Sequence, residues 1–208
     1  MGKFVFLQTM ETDKSKASYG VGMSIAESLT QQDLSNLDLE HVMAGMRAVF
    51  NNETPLMTPE EANLNIQRFL DAQKQLKYEV VKKEGEDYLA ENNKKSEVQT
   101  TESGLQYEIL VQGEGDKPGP SSQVTVHYHG TLIDGTVFDS SIQRGAPATF
   151  GVNQVIRGWT EALQLMSVGS KYRLTIPQHL AYGANPHPGG AIQPYATLIF
   201  DVELLAIA

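Results

Sequence analysis

The chain has 208 residues, 40% of them apolar, with 25 acidic and 16 basic side chains and a formal net charge of -9. That length allows one large domain or two small ones, and the apolar fraction suits a globular core rather than a disordered tail. The acidic balance argues against nucleic-acid binding, the lack of an apolar run near ~18 residues argues against a membrane span, and the lack of cysteine excludes disulfide frameworks, thiol catalysis and thiolate metal sites.

Met1–Met10 carries one lysine and a short apolar patch, too little for a secretory h-region, so a cytoplasmic location is expected. A processed periplasmic chain would read the same. Residues 1–100 hold 27 of the charged residues with 5 glycines and 2 prolines, whereas residues 101–208 hold 14, with 13 glycines and 7 prolines. Glycine and proline punctuate turns, so the first half should be a few long elements and the second many short ones. The junction falls around Asn93–Glu102.

The first half reads as helical. Ala17–Leu29 puts Val21, Ile25 and Leu29 on one face, and Asp38 is a suitable N-cap for a second helix carrying Leu39, Val42, Met46, Val49 and Phe50. Thr58-Pro59-Glu60-Glu61 supplies an N-cap, a proline at the first helical position and a capping-box glutamate. No proline follows until beyond Glu91, which predicts a helix of about 34 residues, roughly 50 Å long. Its apolar residues, Ile66, Phe69, Leu70, Leu76 and Val80, are spaced too loosely for a strict coiled coil. Two short amphipathic helices and a rod make a small core, and Met10, Met23, Met43, Met46 and Met57 add adaptable apolar surface. Pairing with a second copy would complete that core, so residues 1–57 are expected to dimerise and residues 58–95 to form a connecting helix.

The second half, residues 96–208, reads as antiparallel sheet with one short helix, which makes the chain as a whole α+β. Leu105, Tyr107, Ile109 and Val111 alternate, as do Val124, Val126 and Tyr128, and Leu198, Phe200, Val202 and Leu204. Asp134-Gly135 is a hairpin signal, and Gly158–Met166 reads as a helix burying Trp159, Ala162, Leu163 and Met166. His127 and His129 would share a strand face, but they lie away from the aromatic set and no metal is expected. Gly113-Glu114-Gly115 lacks phosphate-loop spacing and reads as a turn.

The blocks Val126-His127-Tyr128-His129-Gly130, Phe138-Asp139-Ser140-Ser141, Val155-Ile156-Arg157-Gly158-Trp159, Leu180-Ala181-Tyr182-Gly183 and Thr197–Leu205 follow one another in order. Together they resemble the FKBP-type peptidyl-prolyl cis-trans isomerases, the rapamycin-binding family, over about residues 103–208. The first half, through Ala17–Gly22, Ala44-Gly45-Met46 and the long helix, is similar to the N-terminal domain of the two-domain bacterial members of the macrophage infectivity potentiator type.

That resemblance implies a twisted antiparallel sheet packed on a short helix, with no cofactor. It implies proline-containing polypeptides and folding intermediates as substrates, macrolides such as rapamycin as inhibitors, and a homodimer able to hold clients. By resemblance Tyr128, Phe138, Val155, Ile156, Trp159, Tyr182 and Phe200 line the proline pocket, with Trp159 as floor, and Phe150 stands beside them. Asp139 is the polar wall, accepting from Arg144 or Tyr128, and Tyr182 would donate its hydroxyl to the substrate carbonyl. His187 and Ile192 sit in the loop over the rim. The chain departs from many relatives at Ala148, where an aromatic is common, at Gln154, where an acidic residue is common, and in a longer Ala184–Pro194 loop. A chaperone with the isomerase pocket as a secondary feature is the alternative reading.

Overall fold

The computed structural model describes residues 11–208, and the Met1–Met10 stretch discussed above, with its Met10, lies outside the described residues. The chain forms two compact units, one ending at Lys74 and the other running from Gln75 to Ala208.

In the first unit, helix α1 (Asp13–Gln31) starts earlier than its apolar pattern suggests. The cause is a cap: the Thr12 hydroxyl accepts from the Ser15 N–H at 3.1 Å, and Ser15 Oγ accepts from the Thr12 N–H at 3.2 Å. Helix α2 (Leu39–Phe50) begins at the expected cap, where the Asp38 carboxylate accepts from Glu40 N–H at 2.9 Å and His41 N–H at 3.3 Å. Helix α3 (Pro59–Asn92) has 34 residues. Thr58 N–H donates to Glu61 Oε2 at 2.8 Å while Glu61 N–H donates to Thr58 Oγ1 at 3.2 Å, closing the predicted capping box. Neither α1 nor α2 buries a residue, and Leu34 is the one buried apolar side chain among the described residues of this unit. Tyr19, Val21, Met23, Leu39, Met43, Val49 and Phe50 all stand exposed.

The second unit is built on a seven-stranded antiparallel sheet. Its strands are β1 (Val98–Thr100), β2 (Gln106–Val111), β3 (Gln123–Leu132), β4 (Val137–Ser140), β5 (Ala148–Gly151), β6 (Lys171–Ile176) and β7 (Leu198–Ile207). The order across the sheet is β1-β2-β6-β7-β3-β4, and β5 pairs with β3 alongside β4. One edge of β3 therefore changes partner along its length: Gln123–Val126 pair with β5 and His129–Thr131 with β4. Between these stretches, at Tyr128, the Ser141 hydroxyl accepts from the strand's N–H at 2.8 Å. A four-residue α4 (Ser141–Arg144) joins β4 to β5, and the nine-residue α5 (Arg157–Leu165) lies against the sheet, burying Gly158, Trp159, Ala162 and Leu163. Val124, Val126, Tyr128, Leu198, Phe200, Val202 and Leu204 face the same core from β3 and β7, as period-2 alternation requires.

The alternation predicted for β2 holds only in part. Leu105 is fully buried, but Ile109 and Val111 are exposed, because the register shifts between them and β1 covers only Gln106–Glu108.

The boundary also differs from the expected junction, since Gln75–Asn92 of α3 belong to the sheet unit. Asn92 Nδ2 donates to Gln106 Oε1 at 2.9 Å and to Thr175 Oγ1 at 3.4 Å, and Gln106 Nε2 donates to the Leu89 carbonyl at 2.9 Å. Gly85 permits this approach, because a Cβ there would stand 2.5 Å from Thr197 Oγ1. Charge and propensity along α3 give no sign of this, since the contact depends on partners 14 and 83 residues away in sequence.

Candidate active site

Between the sheet, α5 and the loop after β6 lies a cavity of about 620 Å³. Eleven of the twelve side chains singled out from the sequence line it: Tyr128, Phe138, Asp139, Phe150, Val155, Ile156, Trp159, Tyr182, His187, Ile192 and Phe200. Gln154, Gly190 and Ala191 also line it; they lie in short irregular segments whose course no periodicity announces. Arg144 is the exception. It does not line the cavity but bonds two residues that do, Asp139 and Tyr128.

Trp159 enters from the first turn of α5, and three rings stand edge-on to its indole. The centroid distances are 5.3 Å to Tyr128, 5.2 Å to Phe200 and 5.9 Å to Phe150, at interplanar angles of 84°, 82° and 88°. Phe138 meets Phe200 in the same way at 5.3 Å. Edge-to-face contacts set the positive rim of one ring on the negative face of another, so the cluster is rigid as well as apolar. The Trp159 Nε1 is buried without a hydrogen-bond partner among the described residues. Such a group is rare in folded proteins and costs stability, which fits a floor selected for its apolar face.

One polar corner interrupts the apolar lining. The Tyr128 hydroxyl donates to Asp139 Oδ2 at 2.5 Å. Arg144 donates to Asp139 Oδ1 through Nη1 and to the Tyr128 hydroxyl through Nη2 at 2.7 Å. Its guanidinium carbon also sits 5.5 Å from the Tyr128 ring centroid. Burial pushes the Asp139 carboxyl up, but the bonds from Tyr128 and Arg144 and the guanidinium charge outweigh it and hold the pKa below the ordinary range. Burial, then the bond to Asp139, pushes the Tyr128 phenol up, so it stays protonated and donating. Burial and the nearby Asp139 charge also raise Tyr182. The Tyr182 hydroxyl has no hydrogen-bond partner among the described residues.

A depressed carboxylate stabilises the fold at pH above its unfolded value of about 3.9, and that contribution is lost as the pH falls through the folded pKa. Arg144→Ala removes the charge and one donor, so the Asp139 titration followed by NMR should move upward, and the stability this carboxylate contributes above its unfolded value should shrink. An unmoved midpoint would show that Arg144 does not set this charge.

On the opposite face of β3, His127 Nδ1 lies 3.1 Å from Ser141 Oγ and His129 Nδ1 lies 3.0 Å from Ser140 Oγ. No group of three or more metal-ligating side chains occurs among the described residues. Nor is any helix there long and apolar enough to cross a membrane.

A family model of FKBP-type peptidyl-prolyl cis-trans isomerases matches residues 114–205, and a model of the domain amino terminal to FKBP-type peptidyl-prolyl isomerases matches residues 14–109. The chain belongs to the FKBP-type peptidyl-prolyl cis-trans isomerases. It is 46% identical over 202 residues to the FKBP-type 22 kDa peptidyl-prolyl cis-trans isomerase of Escherichia coli, spanning 96% of this chain and 98% of that protein. It is 40% identical to the Outer membrane protein MIP of Legionella longbeachae, spanning 96% and 88%. The crystal structure of FkpA from Escherichia coli superposes with a TM-score of 0.74 at 34% identity, covering 96% of this chain and 98% of that one. The chain is thus a two-domain isomerase with a helical N-terminal region and an FKBP-like sheet domain.

The chemistry needs no nucleophile. Rotation about an X–Pro bond faces a barrier of about 18–20 kcal/mol because twisting breaks amide resonance, and uncatalysed exchange takes tens of seconds or more. A twisted amide is less polar than a planar one. A dry, preformed pocket therefore stabilises it relative to water, provided its carbonyl finds a donor.

Proposed function

We propose that the cavity under the Ala184–Pro194 loop is the proline site, with the prolyl ring seated on Trp159 between Tyr128, Phe138 and Phe200. The observation that carries this is an apolar, edge-packed aromatic cluster with a single ionised carboxylate at its border. Tyr182 donates its unengaged hydroxyl to the substrate carbonyl. Val155, Ile156 and Phe150 complete the walls, and His187 and Ile192 meet the residues flanking proline. Asp139, fixed by Tyr128 and Arg144, presents a constant field to the rotating amide and spends no energy reorganising during the reaction. Rapamycin occupies the same cavity.

The test is cis-to-trans exchange of a Leu-Pro tetrapeptide, with and without rapamycin. Acceleration that rapamycin abolishes supports the assignment, and acceleration untouched by saturating rapamycin removes the macrolide from it. Phe138→Ala deletes one wall and should lower kcat/KM about tenfold, the equivalent of ~1.4 kcal/mol, without changing the sedimentation coefficient. Normal turnover in that variant would place the site elsewhere.

The first unit is read as a dimerisation and client-holding domain. Helices α1 and α2 bury nothing and leave Val21, Met23, Leu39, Met43, Val49 and Phe50 open, more than a lone small domain tolerates. Sedimentation equilibrium should give twice the chain mass; a monomer at micromolar concentration would reject the dimer. Tethering of a client there raises its effective concentration at the proline site. For compartment, the cytoplasmic expectation gains nothing from the relatives. One of them is named an outer-membrane protein, which favours the cell envelope, and cell fractionation decides between the two.

A further inference from the structure

We infer that Tyr78, on helix α3 and outside the cavity, is a positioning residue for the loop that closes the proline site. This rests on the reading of the cavity as that site.

The loop leaves 3-10 turn Gln178–Leu180, carries Tyr182, His187 and Ile192 over the cavity, and returns to β7. Its two ends are tied by one bond, from the Tyr195 N–H to the Gly183 carbonyl at 2.8 Å, directly beside Tyr182. Tyr195 holds a φ of +65°, a left-handed conformation that is unusual for a bulky aromatic residue. Such a backbone persists only where its surroundings over-determine it. The surroundings here are α3. The Tyr78 ring stands edge-on to the Tyr195 ring, with centroids 5.9 Å apart at 62°, and two residues further on Thr197 packs against Gly85. Within the C-terminal part of α3, the half-buried Tyr78, Val81, Lys82, Tyr88 and Leu89 recur at helical spacing around the buried Gly85 and Asn92. One face of the helix therefore runs from the sheet at Asn92 to the loop at Tyr78. The ring contact fixes the Tyr195 side chain, the side chain fixes its left-handed backbone, and that backbone aims the N–H that holds Gly183 and, with it, Tyr182.

The experiment uses the full chain with Tyr78→Phe, Tyr78→Ala, Tyr195→Gly and the Tyr78→Ala/Tyr195→Gly double variant. Turnover of the Leu-Pro tetrapeptide is measured with amide hydrogen exchange at Tyr195 and thermal unfolding. Tyr78→Phe keeps the ring and should stay within about twofold of the parent. Tyr78→Ala should lower kcat/KM about fivefold, as small misplacements of contact groups do, and should speed Tyr195 exchange while core amides stay protected. The double variant should lose no more than Tyr195→Gly alone, since both changes break one link. A merely structural role would lower the unfolding temperature without singling out the Tyr195 amide. Unchanged turnover in Tyr78→Ala, an equal fall in Tyr78→Phe, or multiplying losses in the double variant would each overturn the inference. Should Tyr78→Ala not fold, Tyr195→Ala, which removes the ring but keeps the Cβ that disfavours a left-handed backbone, carries the test: full turnover there is equally fatal. Normal turnover in Phe138→Ala would instead defeat the underlying reading of the cavity, so the two failures stay distinct.

Discussion

Gly130→Val is expected to lower kcat/KM for the Leu-Pro tetrapeptide between about 10- and 100-fold while leaving the protein folded. Gly130 lies on the inner side of β3, paired with Asp139 on β4 and Phe200 on β7. A Cβ at this position would stand 2.7 Å from Phe138 Cε2 and 2.8 Å from both Phe138 Cζ and Phe200 Cε1. Neither ring can accept a neighbour at that distance, so both must move. The space open to both is the cavity they line, since Phe200 is otherwise held in the core and Phe138 packs against that core. Overpacking a core costs about 1–3 kcal/mol, and each ~1.4 kcal/mol taken from transition-state binding is tenfold in rate. Because the strain can be relieved into the cavity, activity should suffer more than stability. Combining Gly130→Val with Phe138→Ala separates the two effects: the vacated ring volume should restore the unfolding temperature and leave turnover low. Gly130→Val with full turnover would mean that the Phe138 and Phe200 rings do not shape the proline site.

Local signals were legible in the sequence, and partner-dependent ones were not. Asp38 and the Thr58–Glu61 box announce α2 and α3 because a cap is written in side chains two or three residues from the backbone groups they satisfy. The period-2 runs of β3 and β7 were equally plain, as was the amphipathic α5. Strands β1 and β5 were not, having three and four residues each and existing because β2 and β3 offer them an edge. The lining of the cavity was legible only through resemblance, because Tyr128, Phe138, Val155, Ile156, Trp159, Tyr182 and Phe200 fall in ordered blocks that match a known family, whereas alternation alone would have read Tyr128 and Phe200 as plain core. Arg144 bonds Asp139 as expected, but that it does so without lining the cavity was not legible, because the course of the chain there depends on the turn at Gly145, whose φ is +72°. Gln154, Gly190 and Ala191 lacked any periodic setting. The packing of α3 on the sheet was the largest omission, because the sequence of a solvated helix and that of a helix covering polar sheet residues such as Gln106 and Thr175 look alike.

That packing predicts how the isomerase unit behaves when cut. A chain beginning at Thr58 retains the cap and the whole of α3, and should unfold close to the temperature of the isomerase unit in the full protein. A chain beginning at Ser96 loses the helix and should be less stable by about 2–4 kcal/mol. The polar part of that loss is modest: three hydrogen bonds joining Asn92, Leu89, Gln106 and Thr175 disappear, but Gln106 and Thr175 then meet water, so each bond counts about 1 kcal/mol rather than a full burial penalty. The rest comes from the apolar surface of Tyr78, Val81, Tyr88 and Leu89, at ~25 cal/mol per Å², reduced by the entropy of ordering the helix. Turnover separates this from simple destabilisation. Measured well below both unfolding temperatures, the chain from Thr58 should match the parent on a tetrapeptide, and the chain from Ser96 should fall about fivefold, because it lacks the Tyr78 ring that holds Tyr195. Equal stability of the two fragments would mean that α3 rests on the sheet without supporting it, and the isomerase domain would then begin where the composition changes, near residue 96.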